Sequence, residues 1–244
     1  MTRFLLLLAE LGFIPDALIK IAARYISNRR LNDESVGNKD KIISALSRGA
    51  VAEKTYDANE QHYEVPPKFF NYVLGAKLKY SCSLFDDEDS LDDAENSMLK
   101  LYIDRAEIKN GLEILDLGCG WGSFSLYVAE KYPNTNITSV SNSSDQITYI
   151  NNEAQKRGLL NIKAIRMDVN KLELNNQFDR IISIEMFEHI RNYKLILNSL
   201  KNILKPNGRL FIHIFCHKEL TYFYEMKNNL DWMTKYFFQG GIMP

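Results

Sequence analysis

The spacing of apolar residues changes after Ile108, from a helical period to strand-length runs that alternate with helical segments. Before that point, Ala17, Leu18, Ile21, Ala22 and Tyr25 recur at helical intervals behind Pro15, which suits a first helical turn, and predict a helix through Arg30. Polar residues 32–40 interrupt this pattern and read as a linker. A short helix is predicted from Pro66 to Gly75. Ser90, with Asp93 three residues on, has the capping-box pattern of a helix running to Ile108. Beyond it, apolar runs at 112–117, 136–141, 162–167, 178–184 and 209–215 alternate with helical stretches near 121–131, 143–157 and 192–204. Such alternation predicts βαβ units, hence an α/β fold with a Rossmann-like parallel sheet flanked by helices. Gly158 and Pro206-Asn207-Gly208 fall where helices should stop. Residues 1–60 are assigned to an N-terminal helical extension and residues 61–244 to the sheet domain.

Composition narrows the choice of partner. The 244 residues are 45% hydrophobic and 25% charged, as expected of one main domain with a substantial core. Thirty basic side chains nearly cancel 31 acidic ones, which leaves no global charge for a nucleic-acid partner. Lys20, Arg24, Arg29 and Arg30 give the second helix a basic side, which fits a solvated face or peripheral membrane contact. Cys82, Cys119 and Cys216 lie far apart without metal-knuckle spacing, so no structural metal is expected and a reducing, cytoplasmic setting fits best. The apolar run Phe4 to Ala9 is too short for a signal peptide, and no stretch reaches the ~20 apolar residues that span a bilayer.

The strongest chemical signal is a glycine turn. The run 112–117 leads directly into Gly118-Cys119-Gly120-Trp121-Gly122 and then a helix. Without Cβ atoms, such a turn lets backbone approach a nucleotide cofactor. A phosphate loop would require Gly-Lys followed by Ser or Thr, which is absent. A dinucleotide site would want an acid at the end of strand two, where Ser141 and Asn142 stand. Asp116 can accept from a cofactor ammonium, and Ser141 and Gln146 can meet ribose hydroxyls. Asp168 can accept from an adenine amino group. Local capping competes for Asp116, Gln146 and Asp168.

Strand four then delivers Glu185, Glu188 and His189 to the edge of the sheet where open α/β folds bind ligands. The segment lacks HExxH spacing, so it is not read as a zinc motif. Glu188 or His189 can act as general base for an amine nucleophile, or pair with each other at a helix start without chemistry. Tyr80, Phe187 and Tyr222 offer ring faces to a cation, or simply belong to the core.

Together, His62-Tyr63-Glu64-Val65-Pro66, Tyr80-Ser81-Cys82-Ser83-Leu84-Phe85, residues 115–123, Glu185-Met186-Phe187-Glu188-His189 and residues 211–218 resemble the cyclopropane-fatty-acyl-phospholipid synthase superfamily. Residues 236–244 most resemble its coclaurine N-methyltransferase branch. The resemblance implies a class I methyltransferase that uses S-adenosyl-L-methionine. It implies that Tyr80, Ser81, Gly118, Gly120, Ser141, Gln146 and Asp168 line the cofactor site. In the synthases a bicarbonate ion serves as base, and the matching positions are Cys82, Ile184, Glu188 and His213. In the coclaurine-type branch, Glu185, Glu188 and His189 handle the amine. The expected activity is methyl transfer to a small amine, the alternatives being cyclopropanation of a lipid acyl chain or a cofactor-binding remnant without catalysis. A homodimer is compatible with this reading. Relatives continue beyond the Gly-Gly-x-Met-Pro segment with two further strands, so reduced stability or activity is expected of this chain alone.

Overall fold

The computed structural model describes residues 2–32, 39–53, 67–87, 89–226, 232–236, 238 and 240–244. The His62–Pro66 motif and most of the expected linker fall outside them. Helices α1 (Thr2–Glu10), α2 (Asp16–Leu31) and α3 (Lys39–Ala45) form the N-terminal part, followed by α4 (Pro67–Val73) and α5 (Leu91–Arg105). Then come β1 (Glu113–Leu117), α6 (Ser123–Lys131), β2 (Asn136–Ser141), α7 (Ser144–Lys156), β3 (Ile162–Arg166), β4 (Phe178–Ile184), α8 (Tyr193–Ile203) and β5 (Leu204–His213). The five strands form one parallel sheet in the order β3-β2-β1-β4-β5. The chain order reverses beside β1, which places a ligand crevice at the carboxyl ends of β1 and β4.

Period-two alternation in β1 sets the whole arrangement. Ile114 packs on one face against Met98, Leu99 and Tyr102 of α5 and Phe124 and Val128 of α6. Leu115 and Leu117 face the other way, toward Ile181, Ile196 and Leu200. Val51 and Ala52 join that second cluster, and Ala52 bridges to Ile190, which fastens these two residues to the sheet domain. By contrast, α2 buries none of its side chains.

The capping box at Ser90 and Asp93 is formed, with Ser90 Oγ accepting from the Asp93 backbone N–H and the Asp93 side chain accepting from that of Ser90. As the Pro206-Asn207-Gly208 cluster predicts, α8 stops at Ile203; β5 begins at Leu204, earlier than the expected 209, and carries these residues opposite a register shift between Phe178 and Arg180. The chain leaving β4 makes only a 3-10 turn, Phe187–His189, before α8 begins at Tyr193. A separate antiparallel pair, β6 (Tyr222–Phe223) and β7 (Ile242–Met243), flanks the short helix α9 (Trp232–Tyr236). Among the described residues, no helix is long and apolar enough to cross a membrane.

Candidate active site

A cleft with a cavity volume of about 120 Å³ opens at the carboxyl ends of β1, β2 and β4, lined by the glycine turn, the end of β2, Asp168 and the segment after β4. Gly118 and Gly120 take left-handed backbone angles, φ 81° and 52°, which side chains other than glycine rarely adopt. A Cβ on Gly118 would lie 2.5 Å from Met186 Cγ. The glycine there is thus required twice, by its φ and by its contact with the segment that carries Glu185.

Five of the expected cofactor residues line this cleft: Gly118, Gly120, Ser141, Gln146 and Asp168. Gln146 takes part in the cap through its backbone and turns its side chain to Ser141. Its backbone N–H is capped by Ser143 Oγ, while its side-chain Oε1 accepts from Ser141 Oγ at 2.6 Å. That leaves Gln146 Nε2 buried at the cleft without a protein partner, a donor in search of an acceptor. Asp168 caps the 3-10 turn Val169–Lys171, its Oδ1 accepting from the Asn170 backbone N–H at 2.9 Å.

Asp116 departs from its expected role. The alternation of β1 puts it on the Ile114 face, away from Leu117, which lines the cleft. It is 1% exposed and accepts from Ser125 Oγ at 2.5 Å, and Ser125 Oγ in turn accepts from Ser139 Oγ at 2.6 Å. Burial pushes its carboxyl up to about 7, with the Ser125 hydrogen bond opposing. Tyr80 and Ser81 also lie outside the cleft lining. Tyr80 packs edge-on against Phe70, and Ser81 Oγ accepts from Lys79 Nζ.

The acidic segment after β4 splits into two environments. Glu185 has φ 49°, a conformation that costs a non-glycine residue about 1–3 kcal/mol. Its backbone N–H donates to the His213 carbonyl at 2.8 Å, which ties it to the end of β5. Its carboxylate lines the cleft and accepts from the Cys82 backbone N–H at 2.9 Å. Glu188 is fully buried, with Oε1 accepting from the Phe215 backbone N–H at 2.9 Å and Oε2 unpartnered. Burial pushes its carboxyl up to about 7, against the backbone hydrogen bonds that favour the charged form. His189 lines the cleft and stacks on Phe238 with ring centroids 5.7 Å apart.

Cys82 and His213 lie together, with Sγ 3.9 Å from Nε2. The carboxylate that joins them is that of Glu185, whose Oε1 is 3.9 Å from His213 Nδ1; Glu188 is engaged with Phe215 instead. Ile184 contributes no contact to this cluster beyond its pairing in β4 and β5. Of the aromatic candidates, Phe187 is core at 2% exposure, Tyr222 sits under the Arg30 guanidinium, and Tyr80 remains 43% exposed.

Sequence reasoning missed the support behind this cluster. Lys79 is buried, and its ammonium donates to Ser81 Oγ, the Cys82 carbonyl and Tyr102 Oη. Burial lowers it to about 8, despite the raising effect of neighbouring Cys82, Glu185 and Glu95. Glu95, also fully buried, accepts from the backbone N–H groups of Gly75, Lys77 and Lys79. Tyr102 Oη lies 2.8 Å from His213 Nδ1. The only sequence signal for this clamp was two acids early in a capped helix, which usually mark a favourable helix dipole.

The chain is similar to known proteins in sequence and fold. Residues 51–244 match the family model described as mycolic acid cyclopropane synthetase. The (S)-coclaurine N-methyltransferase of Thalictrum flavum subsp. glaucum is 39% identical over 242 residues, covering 96% of this chain and 67% of its own. The cyclopropane-fatty-acyl-phospholipid synthase of Escherichia coli (strain K12) is 30% identical over 194 residues, 78% of this chain and 48% of its own. A crystal structure of coclaurine N-methyltransferase bound to N-methylheliamine and SAH superposes with a TM-score of 0.89 at 35% identity, covering all of this chain and 73% of that one.

Proposed function

The chain belongs to the mycolic acid cyclopropane synthetase family, and from that premise we propose that it transfers a methyl group from S-adenosyl-L-methionine to the nitrogen of a small amine. The observation that carries this reading is that Glu185 and His189 line the same cleft as the glycine turn, while Glu188, between them in the chain, is buried. The likeness to an N-methyltransferase solved with a methylated amine and SAH supports it.

The residues present fit the cofactor. The turn at Gly118 and Gly120 exposes backbone where a Cβ could not stand at Gly118, and Gln146 Nε2 offers an unspent donor. Bound there, the cofactor supplies an electrophilic methyl on a cationic sulfur. Gly118, Gly120, Ser141, Gln146 and Asp168 hold it. A protonated amine has no free electron pair, so the chain must take a proton from it. Glu188, pushed up to about 7, has the proton affinity for a base near neutral pH, and His189 is the alternative acceptor. The Glu185 carboxylate attracts the ammonium form and orients it. On this reading residues 61–244 act as the methyltransferase domain and residues 1–60 as a helical extension.

A second reading, ring closure on an unsaturated acyl chain with a bicarbonate base, draws on the contact between Cys82 and His213. Glu185 weighs against it, since its carboxylate occupies the cluster in which an anion would sit. Incubation with methyl-labelled S-adenosyl-L-methionine and either a tetrahydroisoquinoline amine or unsaturated phospholipid vesicles separates the two. Label is expected in the amine, independent of added bicarbonate. Label in the acyl chain alone would overturn the proposal.

A further inference from the structure

We propose that Cys82, Glu185 and His213 form a binding site for a divalent cation of the zinc class, at the point where the cleft meets the Tyr80–Cys82 segment. One donor atom from each residue lies within 4.8 Å of the others, a thiol, a carboxylate oxygen and an imidazole nitrogen. Cys82 Sγ is 3.9 Å from His213 Nε2. Zinc bonds of about 2.0–2.3 Å place neighbouring tetrahedral ligands roughly 3.3–3.7 Å apart. The cluster therefore closes on an ion by side-chain adjustment without moving backbone.

The backbone frame is already fixed. Glu185 and His213 are tied by the hydrogen bond from the Glu185 N–H to the His213 carbonyl, and Cys82 is tied to Glu185 through its own N–H. Metal-binding histidines characteristically engage their second ring nitrogen with a polar partner. Here Tyr102 Oη stands 2.8 Å from Nδ1. In the tautomer that donates Nδ1–H to Tyr102, the Nε2 lone pair faces the Cys82 sulfur. On coordination the thiol proton leaves to solvent and a thiolate–metal bond forms.

The neighbouring charges select the ion. The buried Lys79 ammonium is close enough to Cys82 and Glu185 to repel any cation held only by Coulomb attraction. A hard ion such as Mg²⁺ or Ca²⁺ gains little from sulfur or imidazole, so it is excluded. A zinc-class ion gains its affinity from those two donors. The site shares Glu185 with the cleft, and its donor set is the same whichever methyl acceptor that cleft takes.

Cobalt(II) reports both occupancy and sulfur ligation, through thiolate-to-cobalt charge-transfer absorption and visible bands of tetrahedral intensity. Titration of the full chain with Co²⁺ under reducing conditions is expected to saturate at one equivalent, with displacement by Zn²⁺ and not by Mg²⁺. Cys82→Ser, a change at an exposed position, is expected to abolish the charge-transfer band. His213→Gln should weaken binding at least tenfold, and Tyr102→Phe by roughly tenfold. The double substitution Cys216→Ser/His217→Gln controls for the other exposed thiol and should leave the titration unchanged. Melting curves of each metal-free variant establish that it folds. Absence of the band at one equivalent, its persistence in Cys82→Ser, or its loss in the Cys216→Ser/His217→Gln control would overturn the proposal. The titration reads metal occupancy without turnover, so its failure is distinguishable from a failure of the labelling experiment, which tests methyl transfer separately.

Discussion

The two halves of the sheet edge are built on different principles. At the ends of β1 and β2, backbone defines the surface: glycines open the turn, and the polar side chains beneath it, Asp116, Ser125 and Ser139, are satisfied by one another. At the ends of β4 and β5, side chains define it. Glu185 is held at positive φ, Glu188 is buried with one oxygen unpartnered, and His213 is wedged between Tyr102 and Cys82. A cradle made of backbone suits a cofactor whose shape is the same in every turnover. Crowded titratable groups suit proton handling, because burial tunes their affinities.

Substitutions should therefore act on different observables at the two ends. The largest effect is expected at the chemical end. Glu188→Gln should lower kcat by about 10²–10⁴-fold, the usual share of a general base, while S-adenosylhomocysteine affinity stays within about threefold by calorimetry. At the cradle, Gly118→Val forces a Cβ into Met186 and a side chain into the left-handed region. Cofactor affinity should fall by at least about 100-fold, roughly 2.8 kcal/mol.

The clamp behind the Tyr80–Cys82 segment should respond in stability. Glu95→Ala strands three backbone N–H groups and should cost about 3 kcal/mol in denaturant unfolding.

The smallest effect is one of pH. Asp116 and Glu188 are raised from 3.8 and 4.5 to about 7, so the folded chain holds protons that the unfolded chain has released. Stability therefore falls as pH rises through the window between those values and levels off above about 7. Asp116→Asn removes its share of that loss. It should gain about 1–3 kcal/mol over the parent at pH 8 and nothing at pH 4, read from melting curves.

Much of this contrast was legible in the sequence, and the failures have physical causes. The glycine turn could be placed because strand, turn and helix are contiguous, and the Ser90 box because capping is local. The direction of Asp116 was also within reach, since it shares the Ile114 face by strict alternation; motif likeness obscured what the alternation says. Glu188 was grouped with Cys82 and His213 by resemblance to the cyclopropane synthases alone; here its Oε1 accepts from the Phe215 backbone N–H, and the carboxylate beside His213 is that of Glu185. Beyond the acids early in a capped helix, the clamp was not legible, because the backbone groups that Glu95 holds lie 16 to 20 residues away across an irregular segment where no period carries information.

In the proposed function one cleft serves both halves, the cradle holding the cofactor and Glu185 addressing the acceptor. Glu185→Gln tests this most directly, by single-turnover transfer of labelled methyl to a tetrahydroisoquinoline amine beside a titration with S-adenosylhomocysteine. Cofactor affinity within about threefold of the parent and transfer slowed by at least about 100-fold is the predicted result. Transfer at the parental rate, or cofactor binding lost together with transfer, would contradict it.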